Sequence, residues 1–210
     1  MVNFHNIMVN KHNSLNQILA FLLDNKKEEL TIRAIAQKTS IDYKTTHTII
    51  KDLSKQGIID TKKVGQTVLC KTNNSFDENI FIAETMRKEK ILKNKDIKVI
   101  HKYIAETKSI FFVLLIFGSY TSGKNTKNSD IDLLLIADDK NTIESINNKL
   151  KLLPKEIHLV NFSTKEFVSM LKTTDFNVGI EAANNNVILF GIEDYYRILK
   201  NAYRTKNQRS

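Results

Sequence analysis

The sequence predicts an α/β (α+β) protein in three segments: a helical domain closed by a hairpin over residues 1–75, a helical linker over 76–108, and a small mixed sheet with helices over 109–210. Three observations predict this. Apolar residues recur at helical spacing through the first half of the chain. After residue 110, apolar runs of strand length alternate with amphipathic stretches. Between two of those runs lies a loop rich in Gly and Ser, "FGSYTSGKNTKNSDIDLLLI", from Phe117 to Ile136.

The first element is "SLNQILAFLLDNKKEEL", with Leu15, Ile18, Leu19, Leu22 and Leu23 on one helical face and Ser14 as N-cap. "TIRAIAQKTS" gives a short helix with Ile32, Ile35 and Ala36 inward. "IDYKTTHTIIKDLSKQG" gives a third, with Thr46, Ile49, Ile50 and Leu53 inward, Asp42 as N-cap and Gly57 as its stop. "IIDTKKVGQTVLCK" reads as two short strands around a turn at Lys62–Gly65. This first segment is also the most basic, with 11 Lys and Arg against 6 Asp and Glu in residues 1–75 of a chain whose net charge is +9. A basic domain suits a polyanionic partner.

Over residues 13–72 this order resembles a winged helix-turn-helix domain: a short helix of pattern hxxhA, the "KTSI" turn, a helix rich in Thr and Lys, then an "L(x)3GII" run into a wing. The resemblance implies DNA binding, with the third helix in the major groove and the wing on phosphate. By position, the DNA-facing residues would be Tyr43, Lys44, Thr45, His47, Thr48 and Lys51, with Lys62 and Lys63 on the wing. A protein-contact role for the same domain stays open.

Residues 77–107 read as helix, with the "KNKD" stretch breaking it in two. Strand Ile110–Phe117 follows, then the loop, strand Ile131–Ala137, helix Thr142–Leu152, strand Glu156–Phe162 and helix Thr164–Leu171. "NVGIEAANNN" reads as a helix, "VILFG" as a strand, and "IEDYYRILKNAYRT" as the closing helix.

The loop carries the chemistry. Gly118 follows a continuous apolar run, where it lets the backbone turn sharply and another group approach closely. Ser119 adds a hydroxyl, and a helical turn opened here would present free N–H groups to a phosphate. At the loop's other end, strand alternation puts Asp130 and Asp132 on one face. Two adjacent carboxylates repel each other unless a cation lies between them, and such oxygen donors suit Mg²⁺ or Mn²⁺.

"GS", ten residues, then "DID" resembles the nucleotidyltransferase superfamily of polymerase-β type, most closely its minimal nucleotidyltransferases, over residues 108–200 or so. The resemblance implies transfer of a nucleotidyl group, usually AMP, from ATP or another nucleoside triphosphate to a hydroxyl. Gly118 and Ser119 would hold the triphosphate, Asp130 and Asp132 the metals, and Ser129 would fix the loop, with Lys124 and Lys127 near phosphates. The family's third carboxylate sits on a later strand between apolar residues. Here that strand is "KEIHLVNF", and the matching position is His158, with Glu156 two residues earlier. Either could serve, or the third group is missing. The resemblance also implies a partner: minimal nucleotidyltransferases often act as antitoxins that modify a HEPN-type toxin protein. The competing reading is a winged-helix regulator whose second domain binds nucleotide or a partner without catalysis.

No apolar run approaches the roughly 20 residues a membrane helix needs. The N-terminal residues lack signal-peptide features, and a single cysteine, Cys70, excludes an internal disulfide. A cytoplasmic protein without membrane contact is therefore expected. A homodimer is compatible with the sequence, although nothing in it marks one.

Overall fold

In this computed structural model, residues 4–107, 111–126 and 128–207 are described, with the backbone alone for 4–12 and 204–207. Ile110, the expected start of a strand, and Lys127 lie outside the described residues. The chain is a mixed α and β protein, as the pattern predicts, and forms two compact units, Met1–Met86 and Arg87–Ser210. No helix among the described residues is long and apolar enough to cross a membrane.

The first unit runs α1 (Phe4–Asp24), β1 (Leu30–Thr31), α2 (Ile32–Thr39), α3 (Tyr43–Lys55), β2 (Ile59–Val64) and β3 (Thr67–Thr72). Helix α1 begins ten residues before Ser14, which is therefore inside the helix and not its cap. No Pro or Gly interrupts that stretch to stop the helix from extending. The short β1 was not anticipated; it pairs with β3 through Leu30–Cys70 and Thr31–Leu69, giving the sheet order β1-β3-β2. Thr31 then caps α2, its hydroxyl accepting from the Ala34 amide at 3.0 Å. Asp42 caps α3, accepting from the Thr45 amide at 2.9 Å. Hydrogen bonding from the Thr45 side chain, and then from its amide, holds the Asp42 carboxyl below the usual carboxylate range.

Thr46, Ile49, Ile50 and Leu53 are buried as expected, and α3 ends before Gly57, with the Ile58 amide closing back on the Leu53 carbonyl at 3.0 Å. The hairpin turn is tighter than the sequence suggested. Val64 pairs with Thr67 across a two-residue turn, Gly65–Gln66, so Lys62 and Lys63 lie in β2 and not in the turn. Cys70 is fully buried in β3, and burial pushes its thiol up to about 11.

Helix α4 (Glu78–Ile91) spans the division between the units, and α5 (Lys95–Ala105) follows a break at "KNK", where Asn94 caps it. The second unit then runs β4 (Val113–Phe117), β5 (Ile131–Ile136), α6 (Lys140–Lys151), β6 (Ile157–Phe162), α7 (Thr164–Lys172), α8 (Val178–Asn184), β7 (Asn186–Phe190) and α9 (Ile192–Asn207). The sheet order is β6-β5-β4-β7, with β5 and β6 parallel and the other pairs antiparallel. Parallel β5 and β6 need the α6 crossover between them. One sheet face packs Leu114, Ile116, Leu133 and Leu135 against Ile97, Ile100 and Ile104 of α5 and Ile146 of α6. Helices α8 and α9 pack on β4, and α7 packs against both of them. With both faces covered, all five β4 residues are buried, which explains its unbroken apolar run.

Strand β4 starts at Val113, later than the apolar run implied. Phe111 is 75% exposed, and Phe112 turns to pack on Phe190, ring centroids 5.5 Å apart. An aromatic run hides this boundary, because hydrophobicity alone does not separate a strand from its approach.

Registers align one residue from each strand across the sheet: Asn186, Phe117, Asp132 and His158. Asn186 anchors the buried end of this row. It is 0% exposed, its side-chain amide donates to the Ala182 carbonyl at 2.5 Å and to the Tyr195 hydroxyl at 3.0 Å, and its carbonyl accepts from Arg87 Nη2 at 2.5 Å. Asn186→Leu keeps the branch at Cγ and the number of side-chain heavy atoms but strips buried polar groups of a partner. It is expected to cost about 3 kcal/mol and to lower Tm by roughly 10 °C. Urea denaturation followed by circular dichroism checks this; a loss under about 1 kcal/mol would mean that the network contributes little beyond packing.

Candidate active site

The site is built at the end of β4. Gly118 has φ +73°, a left-handed conformation that side chains rarely adopt, and a Cβ placed on it would lie 2.3 Å from Asp132 Oδ2. Both facts require glycine: the chain must turn, and the carboxylate occupies the space where a side chain would go. The turn that follows is a single 3₁₀ turn, Gly118–Tyr120. A helix macrodipole therefore does not build up here, and phosphate contact would rest on individual amides and the Ser119 hydroxyl.

Four donors converge on the Gly118 carbonyl: the Thr121 amide, Thr121 Oγ1 at 3.0 Å, the Ser122 amide at 3.2 Å and Ser122 Oγ at 3.1 Å. Further along, the Lys124 amide donates to the Ser119 carbonyl at 3.1 Å, and the Lys124 side chain is exposed. The Ser129 hydroxyl accepts from the Thr126 amide at 2.8 Å, and the Ser129 carbonyl lies 3.4 Å from the Tyr120 hydroxyl. Ser129 thus closes the loop on itself just before the carboxylates.

Only Asp132 lies within β5; Asp130 precedes the strand and is exposed. Between them, Ile131 is fully buried in the core. Asp132 sits in register with Phe117 on one side and His158 on the other. His158 Nδ1 is 3.5 Å from Asp132 Oδ1, with side chains 69% and 30% exposed. A contact this open adds little stability. Glu156 precedes β6, its carbonyl accepting from the Ile131 amide at 3.1 Å, and its side chain is exposed. The strands pair without slippage, so His158 is level with Asp132 and Glu156 falls beyond the paired residues.

Among the described residues, no three His, Cys, Asp or Glu side chains gather into a group able to hold a metal. The donors fit a divalent cation in another way. Asp130 and Asp132 offer hard oxygen ligands, one of them set against Gly118, and a Mg²⁺ bound by two carboxylates takes its other ligands from water and substrate phosphates.

In the first unit, Tyr43, Lys44, His47, Thr48 and Lys51 are exposed along α3, whereas Thr45 is half-buried. Lys62 and Lys63 are exposed on β2. Beside α3 lies a groove of about 1320 Å³ whose lining includes Tyr43, His47 and Lys63, together with Arg33, Gln37 and Gln66. Arg33 was not singled out from the sequence. Its place on the polar face of α2, opposite Ile32 and Ile35, is the signal that points to it.

Residues 98–190 match the model of the family described as "Polymerase beta, Nucleotidyltransferase", a span that includes Gly118, Ser119, both aspartates and His158. Among solved structures, one described as "Crystal structure of the toxin-antitoxin with AMP-PNP" is similar at 20% identity, covering 55% of this chain and 89% of that one, with a TM-score of 0.35. No curated protein sequence matches the chain.

Proposed function

We propose that the second unit transfers a nucleotidyl group from a nucleoside triphosphate, ATP foremost, to a hydroxyl. The observation that carries this reading is Asp132: it fills the space that Gly118 leaves open, and it faces His158 across the sheet. In the reaction, the acceptor oxygen bonds to the α-phosphorus, the bond from that phosphorus to the β-phosphate bridge breaks, and pyrophosphate leaves. Mg²⁺ or Mn²⁺ held by Asp130 and Asp132 would supply charge neutralisation at the phosphates and lower the pKa of the hydroxyl. Gly118 and Ser119 receive the triphosphate at the turn. With Nδ1 facing Asp132, His158 keeps Nε2 for the proton of the incoming hydroxyl. The acceptor we carry forward is a hydroxyl on a partner protein, such as a HEPN-type toxin, the class the sequence resemblance implies.

The test is incubation with each α-labelled triphosphate, Mg²⁺ or Mn²⁺, and candidate partners. Label transfer with pyrophosphate release is expected; a protein that binds no triphosphate with either metal would sink the proposal. Under the same assay, His158→Ala is expected to slow transfer about 100-fold and to change triphosphate affinity less than about twofold. Transfer at the wild-type rate would remove His158 from the proton path.

The exposed face of α3 and the groove beside it favour a second, compatible role for the first unit in binding DNA, with Arg33 and Lys63 near phosphates. Binding to a fragment of the chain's own promoter should weaken steeply with salt. Absence of binding at low salt would count against this role.

A further inference from the structure

We infer that Thr121 is a positioning residue for the triphosphate turn, an inference that rests on the reading of Gly118 and Ser119 as the phosphate cradle. The Gly118–Ser119 peptide is trans, so the Ser119 N–H points opposite to the Gly118 carbonyl. Whatever fixes that carbonyl therefore aims that amide. The carbonyl is turned into the loop, where Thr121 Oγ1 reaches it at 3.0 Å. The Ser119 amide is consequently aimed out of the turn, toward the side from which a phosphate would approach.

Thr121 does more than close the turn. Its Oγ1 also lies 3.3 Å from the carbonyl of Asn185, 64 residues away in sequence. Asn185 immediately precedes Asn186, the buried residue in register with Phe117. Thr121 thus ties the turn to the strand that flanks β4, and its single hydroxyl hydrogen is shared between the two carbonyls. Ser122 provides the internal comparison. Its hydroxyl reaches the Gly118 carbonyl at 3.1 Å and the Ser119 carbonyl at 3.2 Å, both inside the same turn.

Thr121→Val keeps the shape and removes the donor; Thr121→Ser keeps the donor and removes the methyl group. In the full chain, Thr121→Val is expected to weaken Mg²⁺–ATP binding roughly 3- to 10-fold, raising KM more than it lowers kcat. Without nucleotide, it is expected to speed hydrogen exchange at the Ser119 and Tyr120 amides. Thr121→Ser should stay near wild type in both measurements, and Ser122→Ala should affect them less than Thr121→Val. Unchanged binding and exchange in Thr121→Val, with wild type binding normally, would overturn this inference alone. So would a loss in Thr121→Ser with Thr121→Val near wild type, which would assign the effect to packing of the methyl group. A wild-type protein that binds no triphosphate would overturn the cradle reading and this inference together.

Discussion

Gly118→Ala is expected to reduce nucleotidyl transfer by at least about 100-fold while leaving the fold in place. Two physical effects act together. The new methyl group would meet Asp132 Oδ2 at 2.3 Å, well inside contact distance, so either the carboxylate rotates or the turn moves. A side chain at φ +73° adds roughly 1–2 kcal/mol of backbone strain. Each response displaces a group proposed to act on the triphosphate: Asp132 if the carboxylate yields, the Ser119 amide if the turn yields. Misplacement of about 1 Å is enough for a loss of that order. Single-turnover transfer and triphosphate binding measure the effect, and circular dichroism checks the fold. Wild-type transfer in this variant would show that the close approach of Gly118 and Asp132 is incidental to the reaction.

Asp132→Asn is the second large effect. The amide has nearly the same shape but no charge, so it tests electrostatics and not packing. Losing several kcal/mol of charge stabilisation at the phosphates corresponds to a fall in transfer of about 1000-fold. Half-maximal activation should also move to higher Mg²⁺ concentration. Folding should be little affected, because the carboxylate is partly exposed and its contact with His158 is open to solvent. Asp130→Asn should move in the same direction. If Asp132→Asn transfers normally and its Mg²⁺ dependence is unchanged, the metal assignment fails.

Much of this architecture could be read from local signals. Glycine and serine after a buried strand, with two aspartates twelve and fourteen residues beyond Gly118, located the loop and its carboxylates. Asp42 before a Thr-rich helix located the start of α3. The features that were misread or missed depend on partners distant in the chain. The β1 segment exists because Leu30 and Thr31 pair with β3 some forty residues later. Alternation along β6 could not choose between His158 and Glu156, since both fit a period of two; only the pairing with β5 sets the level of Asp132. Thr121 looked like any polar loop residue, because its reach to Asn185 is a product of sheet order. The strand begins at Ile131 as expected, so Asp130 lies one residue outside it, where strand alternation no longer fixes its direction.

The depth of Cys70 makes the chain a ready host for a reporter dye. Maleimide-type reagents are attacked by the thiolate, and a thiol raised to about 11 and closed off from solvent holds almost none near neutral pH. A second cysteine placed at the surface would then take the label by itself, with no need to remove the native one. Lys124→Cys would put a fluorophore on the exposed loop between Gly118 and Asp130. Its emission would report triphosphate arrival in real time, separately from any acceptor or product.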